Sequence, residues 1–369
     1  MEQLDFNFKN DLIFKTIHRI KNMGIKSLNK FLCEKCPEIF EAIHISEYQY
    51  KKIAIDISLY MCNFKSLYGE EGWLGAFIKM VVCLRENDIH CVFVYDSGSP
   101  PEKEAERRER RENRDKTDLR VTALELAIEK YHMTSEIDQI LIDLKVEDQP
   151  KLIRPVKSSL NIQAIEYKVK KMRQQLFNIT PTDFEVTRKL FDILDVPYLH
   201  APMEAETMCA DLCKQGKVDA VLSEDTDVLA YGTPCFLSKF NTMTATCLRI
   251  SHDKLLESLS LKEEEFLDFC IMCGTDYNKN IFRIGPSKAY NLIQKHRSID
   301  VVGENMDVAI LNHKRTRELF QKYERATVKI PYCGFPNFPQ LQQFLMKKNL
   351  RISVDSLQKA FTHNIVIQE

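Results

Sequence analysis

Val218-Asp219-Ala220-Val221-Leu222-Ser223 runs straight into Glu224-Asp225-Thr226-Asp227. A short apolar run rich in β-branched residues reads as a strand buried on both faces, and this one stops on acids. The pattern occurs twice earlier. Lys52-Ile53-Ala54-Ile55 ends on Asp56, and Cys91-Val92-Phe93-Val94-Tyr95 ends on Asp96. In an open α/β sheet the ligand site lies beyond the carboxyl ends of the strands. Three strands delivering carboxylates to one edge therefore predict both the fold class and the place of its site. A single acid at a strand end is an ordinary cap, which does not explain three.

Two more acidic motifs follow, Met203-Glu204-Ala205-Glu206 and Gly274-Thr275-Asp276-Tyr277. The full set is Asp56, Asp96, Glu204, Glu206, Asp225, Asp227 and Asp276. Like charges at close range raise one another's pKa, so this many carboxylates need a cation among them. A pair of divalent metals is the simplest answer. Oxygen donors without Cys or His suit Mg2+ or Mn2+ rather than zinc, and the implied chemistry is metal-assisted phosphodiester hydrolysis. Pro202 is placed to open a helix, which sets Glu204 and Glu206 in its first turn. Residues two apart on a regular helix point to nearly opposite sides. Either the start is irregular, or the metals sit close to the helix end. Acids in a first turn also suit the helix dipole with no metal present.

Composition sets limits. With 369 residues, 44% of them apolar, the chain buries one large core or two modest ones, and a net charge of −1 does not advertise nucleic-acid binding. Twelve irregularly spaced cysteines, no secretory leader and no long apolar run predict a soluble protein of a reducing compartment, nucleus or cytoplasm, neither secreted nor in a membrane. Cys33-x-x-Cys36 and Cys270-x-x-Cys273 have zinc-site spacing, but the second pair lies in the apolar run Phe266 to Met272, where buried thiols need no ligand.

The even charge hides local patterning. Lys103, Arg107, Arg108, Arg110, Arg111, Arg114, Lys116 and Arg120 stand among nearly as many acids, without Gly or Pro, and predict an exposed helix over 102–120. Leu160 to Phe177 is amphipathic, with Ile165, Val169, Met172 and Leu176 at helical spacing beside Lys168, Lys170, Lys171 and Arg173. Both faces offer phosphate contacts. Asp96 and Glu204 stand much further apart than a βαβ crossover needs, so 102–178 reads as a polar helical insertion able to cover or gate the site, with an internal break from Val146 to Pro155. Downstream, Arg283-Ile284-Gly285-Pro286-Ser287-Lys288-Ala289 leads into the helix Tyr290 to His296. A tight Gly-Pro turn at a helix start presents backbone N–H groups, a sequence-neutral phosphate grip to which Lys288 and Lys295 add charge. An ordinary helix-turn-helix corner reads the same way.

These motifs, with Met23-Gly24-Ile25-Lys26-Ser27-Leu28 and the Pro100-Pro101 pair, stand in the order found in the flap endonuclease family. This structure-specific group includes the flap, xeroderma pigmentosum group G and Holliday-junction-resolving nucleases. The resemblance runs from about Met23 to Phe361. It implies a mostly parallel central sheet flanked by helices, a PIN-like nuclease fold, with a helical arch over the site and a helix-turn-helix platform for duplex DNA. By similarity, Asp56, Asp96, Glu204 and Glu206 would serve one Mg2+ and Glu206, Asp225 and Asp227 a second, with Asp276 acting through water. Lys103 and Arg110 keep the seven-residue spacing of the arch's basic pair, which steers the scissile phosphate. Gly24 would lie near the site. Tyr60 would take the base-stacking task, or merely pack, because the family's stacking position falls here on Cys62. The implied divisions are an extension, 1–22; nuclease segments, 23–101 and 179–276; the arch, 102–178; and helix-turn-helix with C-terminal helices, 277–369.

The sequence also departs from the family. Twenty-two residues precede Met23, which is otherwise the family's start, and Arg283 replaces the first glycine of the turn. The arch is longer than a flap endonuclease's. Beyond Gln340–Leu345 and Ser356–Phe361 there is no basic tail with a sliding-clamp peptide, as in compact versions encoded by large DNA viruses. The expected protein is a monomeric, Mg2+-dependent endonuclease acting on branched or flapped DNA in replication or repair, with 5′-flap and 5′-exonuclease activity. Bubble or junction cleavage is the alternative within the family, and a DNA-binding scaffold without catalysis the alternative outside it.

Overall fold

The parallel strands form because their apolar runs are buried on both faces. In the computed structural model, which describes residues 24–144 and 161–361, seven strands make one sheet in the order β1-β7-β6-β5-β2-β3-β4. They are β1 (Glu41–His44), β2 (Lys52–Asp56), β3 (His90–Tyr95), β4 (Tyr198–His200), β5 (Ala220–Leu222), β6 (Cys235–Asn241) and β7 (Thr246–Ser251). Strands β6, β5, β2, β3 and β4 run parallel, and β7 and β1 close the far side antiparallel. Ile55 pairs with Phe93 on one side and Leu222 on the other, so Asp56, Asp96 and Asp225 leave the same edge. The extension 1–22, Met23 and the break from Val146 to Pro155 lie outside the described residues.

The chain divides into two units. The first holds the sheet, with Gly75–Lys103 and the chain from Pro181 onward. Its helices are α1 (Leu28–Lys35), the later part of α2 (Ile57–Glu86), α6 (Pro181–Leu194), α7 (Ala205–Lys214), the short α8 (Asp227–Ala230), α9 (His252–Leu259), α10 (Glu263–Cys273), α11 (Pro286–His296), α12 (Ile299–Gly303), α13 (His313–Gln321), α14 (Phe338–Lys347) and α15 (Val354–Ala360). Alternate strand residues face opposite layers. Ala54, Val92, Val94 and Val221 share a core with α1, α7, α10 and α11, where small side chains such as Ala205, Cys209 and Ala210 allow close approach. On the other face Phe93 stacks on Phe191 of α6 with ring centroids 4.2 Å apart, and Phe77 meets both edge-on. Phe31, Phe269 and Tyr290 form an aromatic trio that fastens α1, α10 and α11 together.

The second unit consists of Met61–Leu74 and Glu104–Thr180, so it takes in residues 61–74, which the sequence reading counts with the first nuclease segment. Its helices are α3 (Glu104–Thr134), α4 (Gln139–Asp143) and α5 (Ile162–Gln174). Val121, Leu124, Ala127, Leu141, Leu144, Ile165 and Val169 make its small core, with Met172 and Leu176 against it. Arg173 links α5 to α3 through Asp118, Thr122 and Glu125. The first half of α3 is mostly exposed, as its charge pattern predicts.

Between α13 and α14 the chain has no helix or strand, yet it is fixed along its length. Ala326 N–H donates to Asp211 (2.7 Å) and Lys217 Nζ to Ala326 O (2.6 Å), beside the start of β5. Lys52 Nζ, at the start of β2, donates to Ile330 O (2.5 Å), and Cys333 N–H donates to His90 Nδ1 (3.0 Å) at the start of β3. Gly334 and Asn337 N–H then donate to Asp195 O and Ile193 O, ahead of β4. The segment is a strap across the amino ends of the parallel strands, opposite the acids. A Cβ on Gly334 would lie 1.7 Å from Asp195 Oδ2, so any side chain there would have to push the Asp195 carboxylate aside. Asp211 is buried and accepts from both Ala326 and Gln215. Asp211→Ala should leave those donors unsatisfied and lower stability by roughly 1–3 kcal/mol. Urea denaturation checks this, and an unchanged midpoint would show that the strap is held elsewhere.

Candidate metal centre

Five segments of the first unit bring acids to the site. Asp56 ends β2 and caps α2, accepting from the N–H groups of Ser58 (2.8 Å) and Leu59 (3.2 Å). Asp96 follows β3; its Oδ1 accepts from Ala205 N–H (2.7 Å) and its Oδ2 from Ser58 Oγ (2.5 Å), which pins α7 to the end of β3. Beyond β5, Asp225 N–H donates to Ser223 Oγ and Asp227 N–H to Asp225 Oδ1, a tight turn that starts α8. Beyond α10, Thr275 and Asn278 hydrogen-bond each other and Asn278 reaches back to Ile271 O, so Asp276 is presented from a braced turn. Lys26 N–H donates to Gly274 O, which brings Gly24 against the acids. Gly24 has φ 77°, and a Cβ there would lie 2.1 Å from Asp225 Oδ1. Only glycine permits both that angle and that approach.

Glu204 and Glu206 settle the helix question. The helix opens at Ala205, later than Pro202 suggests, and Glu204 is its N-cap residue with extended backbone (φ −95°, ψ 136°). The two acids are therefore not on one regular turn, and both turn toward the same point. That point is the ammonium of Lys103, 2.7 Å from Glu204, 2.9 Å from Glu206 and 3.7 Å from Asp276. Tyr277 donates to the other oxygen of Glu204 (2.6 Å), and its hydroxyl meets that of Tyr231 (2.6 Å), which Thr207 engages in turn. The sequence reading assigns no role to Tyr277, Tyr231 or Ser58, although Tyr277 stands inside the quoted motif Gly274-Thr275-Asp276-Tyr277.

Glu206, Asp225 and Asp227 each offer an oxygen within 4.8 Å of the others. Asp227 is fully buried, and neither of its carboxylate oxygens accepts a hydrogen bond among the described residues. Burial, then Asp225, Asp276 and Glu206, holds its pKa well above the usual carboxylate range. Burial and then Asp96 raise Asp56 likewise. Burial also raises Glu206, against the opposing pull of Lys103. Burial lowers the pKa of Lys103, but Glu206, Glu204, Asp227 and Asp276 together outweigh it and keep the amine charged. An orphaned buried carboxylate in an all-oxygen set is what a hard divalent cation needs, so these residues fit such an ion.

Other expected site residues fall elsewhere. Tyr60 is 5% exposed and packs in the core, so its ring is not presented for stacking on a base. Arg110 belongs to the helical unit, exposed and paired with Glu106 one turn earlier. Glu224, which adjoins Asp225, is committed to a buried ion pair with Lys239 (2.6 Å). Cys33, Cys36, Cys270 and Cys273 are buried thiols, and burial raises each of their pKa values. Gly285 is the N-cap of α11 with open space before it, and Lys288 and Lys295 are exposed on that helix. Arg283 adopts φ 62°, so the turn keeps the left-handed geometry that glycine favours, at a strain of about 1 kcal/mol.

An α/β sheet with this acidic edge fits a metal-dependent hydrolase. Comparison with known proteins narrows the class. Residues 23–117 match the XPG N-terminal domain and 195–276 the XPG I-region. The chain is 34% identical to the Probable RAD2-like endonuclease 369L of Invertebrate iridescent virus 6, over 92% of each chain. It is 29% identical to flap endonuclease 1 of Macaca fascicularis, over 88% of this chain and 82% of the relative. In fold it is similar to the catalytic core of Rad2 solved with a DNA substrate, with a TM-score of 0.63 at 16% identity, over 91% of this chain and 98% of that one. The chain belongs to the flap endonuclease and XPG family of structure-specific nucleases, metal-dependent hydrolases of DNA phosphodiester bonds.

Because Asp227 is buried without a donor, Asp227→Asn should raise the stability of the metal-free protein by roughly 0.5–2 kcal/mol. Chemical denaturation in EDTA checks this, and a loss of stability would show that the carboxylate is already compensated.

Proposed function

We propose that the protein is a Mg2+-dependent endonuclease that incises DNA at 5′ flaps with two divalent cations, and that it also acts as a 5′-exonuclease. The observation that carries this reading is Asp227, buried with both oxygens unsatisfied among the described residues and within ligand distance of Glu206 and Asp225. Glu206, Asp225 and Asp227 would hold one ion, and Asp56, Asp96, Glu204 and Glu206 the other, with Asp276 acting through water. Such ions, when bound, would supply activation of water and charge stabilisation of the leaving oxygen.

The protein's own part is to hold these acids in place. Asp56 is set by the N–H groups of α2, Asp96 by Ala205 and Ser58, and Glu204 by Tyr277. Each angle is thereby fixed before any ion arrives, which is the preorganisation that charge stabilisation requires. The open amino end of α11, with Lys288 and Lys295, supplies a phosphate grip that reads no sequence. The flap preference rests on similarity to a flap endonuclease, and the DNA partner on the Rad2 core solved with its substrate.

The test is cleavage of end-labelled 5′-flap, bubble, four-way-junction and plain duplex DNA, with Mg2+ and with EDTA. Incision at the flap base that needs Mg2+ is expected. Preferred cutting of bubbles or junctions would move the protein within its family, and tight binding without a cut would make it a scaffold. Asp225→Ala should abolish cleavage and spare binding, since it removes a metal ligand and not a phosphate contact; equal loss of both would refute that role. Lys288→Ala should weaken binding to all sequences alike and reduce the salt slope by about 1. Filter binding across a salt series decides this, and an unchanged slope removes Lys288 from the interface.

A further inference from the structure

The cation that the crowded acids require is already present in the chain. Lys103 is nine-tenths buried, and its ammonium touches Glu204 and Glu206 with Asp276 just beyond. The ring of Tyr277 closes the other side, 5.0 Å from Nζ. Its backbone is held in a one-turn segment, Pro101–Lys103, with its N–H on Pro100 O, so the four-carbon stem is the part free to swing. A divalent ion held by Glu204 and Glu206 would compete with that ammonium for the oxygens it touches, Oε1 of each. An ammonium and a metal cannot both occupy that point.

We propose that Lys103 is the resident counter-ion of the metal-free site, and that it leaves Glu204 and Glu206 when a divalent cation takes their oxygens. The idea rests on the metal reading above and adds an order of events to it. Glu204 does not follow the lysine out, because Tyr277 holds its second oxygen from the protein side. The released ammonium stays tethered within a side chain's length of the acids, where the phosphate of a bound strand has to lie. Metal loading thus compensates the carboxylates and frees a cation beside them in one exchange, whereas without metal the lysine stays committed to Glu204 and Glu206.

Reductive methylation of the wild-type protein, with and without saturating Mg2+ and no DNA, reads this directly by mass spectrometry at each lysine. Lys103 should be protected without metal and become several-fold more reactive with it. Buried Lys65 should stay protected and exposed Lys288 reactive throughout, as internal standards. Mg2+ binding is followed separately by calorimetry. Binding that leaves Lys103 protected overturns the exchange; absence of any Mg2+ binding overturns the metal reading instead. As a second arm, Lys103→Met should bind Mg2+ at least threefold more tightly, because no ammonium has to be displaced. Equal or weaker affinity there also counts against the proposal.

Discussion

Mutual repulsion among carboxylates that are also buried is the constraint that organises this molecule. Asp56, Glu206 and Asp227 are each pushed upward first by burial, and further by neighbouring carboxylates: Asp96 and Asp225 at Asp56, Asp225 and Glu204 at Glu206, and Asp225, Asp276 and Glu206 at Asp227. A flexible loop would relax away from such a cluster. Here each acid leaves a braced place: a strand end, a helix cap, or a turn held by its own hydrogen bonds. The parallel sheet collects Asp56 and Asp225, 169 positions apart, at one edge, and its two-sided core keeps them from separating. Lys103 and the Tyr277–Tyr231–Thr207 chain complete the arrangement from the protein side.

Charge is segregated by the same fold. The near-neutral total combines an acidic edge with exposed bases on α11 and on the first half of α3. Nucleic-acid binding depends on where the positive charge lies rather than on its sum. An even balance is therefore compatible with a nuclease whose cation-binding and phosphate-binding surfaces are separate.

Much of the fold was legible because continuous apolar runs mark two-sided strands, and the acids at their ends mark the edge. The amphipathic pattern of α5 was legible for a similar reason: Ile165 and Val169 recur at the helical period and are buried. Periodicity could not resolve Glu204 and Glu206, since a cap residue and a helical residue look alike in sequence and only the dihedrals separate them. By charge pattern alone Lys103 falls among the solvated bases of the helix that follows it, because nothing local distinguishes a buried lysine from its exposed neighbours; only the family spacing set it apart. Tyr60 was left between stacking and packing for the converse reason: an offset from Asp56 does not say which face of α2 a ring takes, and burial selects packing. Tyr277 and Tyr231 look like core aromatics until their hydroxyls are seen to meet. The strap, irregular and without period, carried no signal at all.

That strap has a consequence for how the chain is made. Its bonds join residues as far apart as Lys52 and Ile330, separated by 278 positions. Long-range closures of this kind come late in folding, because the loop entropy must be overcome before the contact rewards it. During synthesis the chain emerges amino end first. The back edge of the sheet cannot be sealed until α10, α11 and α13 have all been translated. A nascent chain thus lacks its full rigidity until α11, which carries the proposed phosphate grip, exists, so the acidic edge is not completed ahead of that helix.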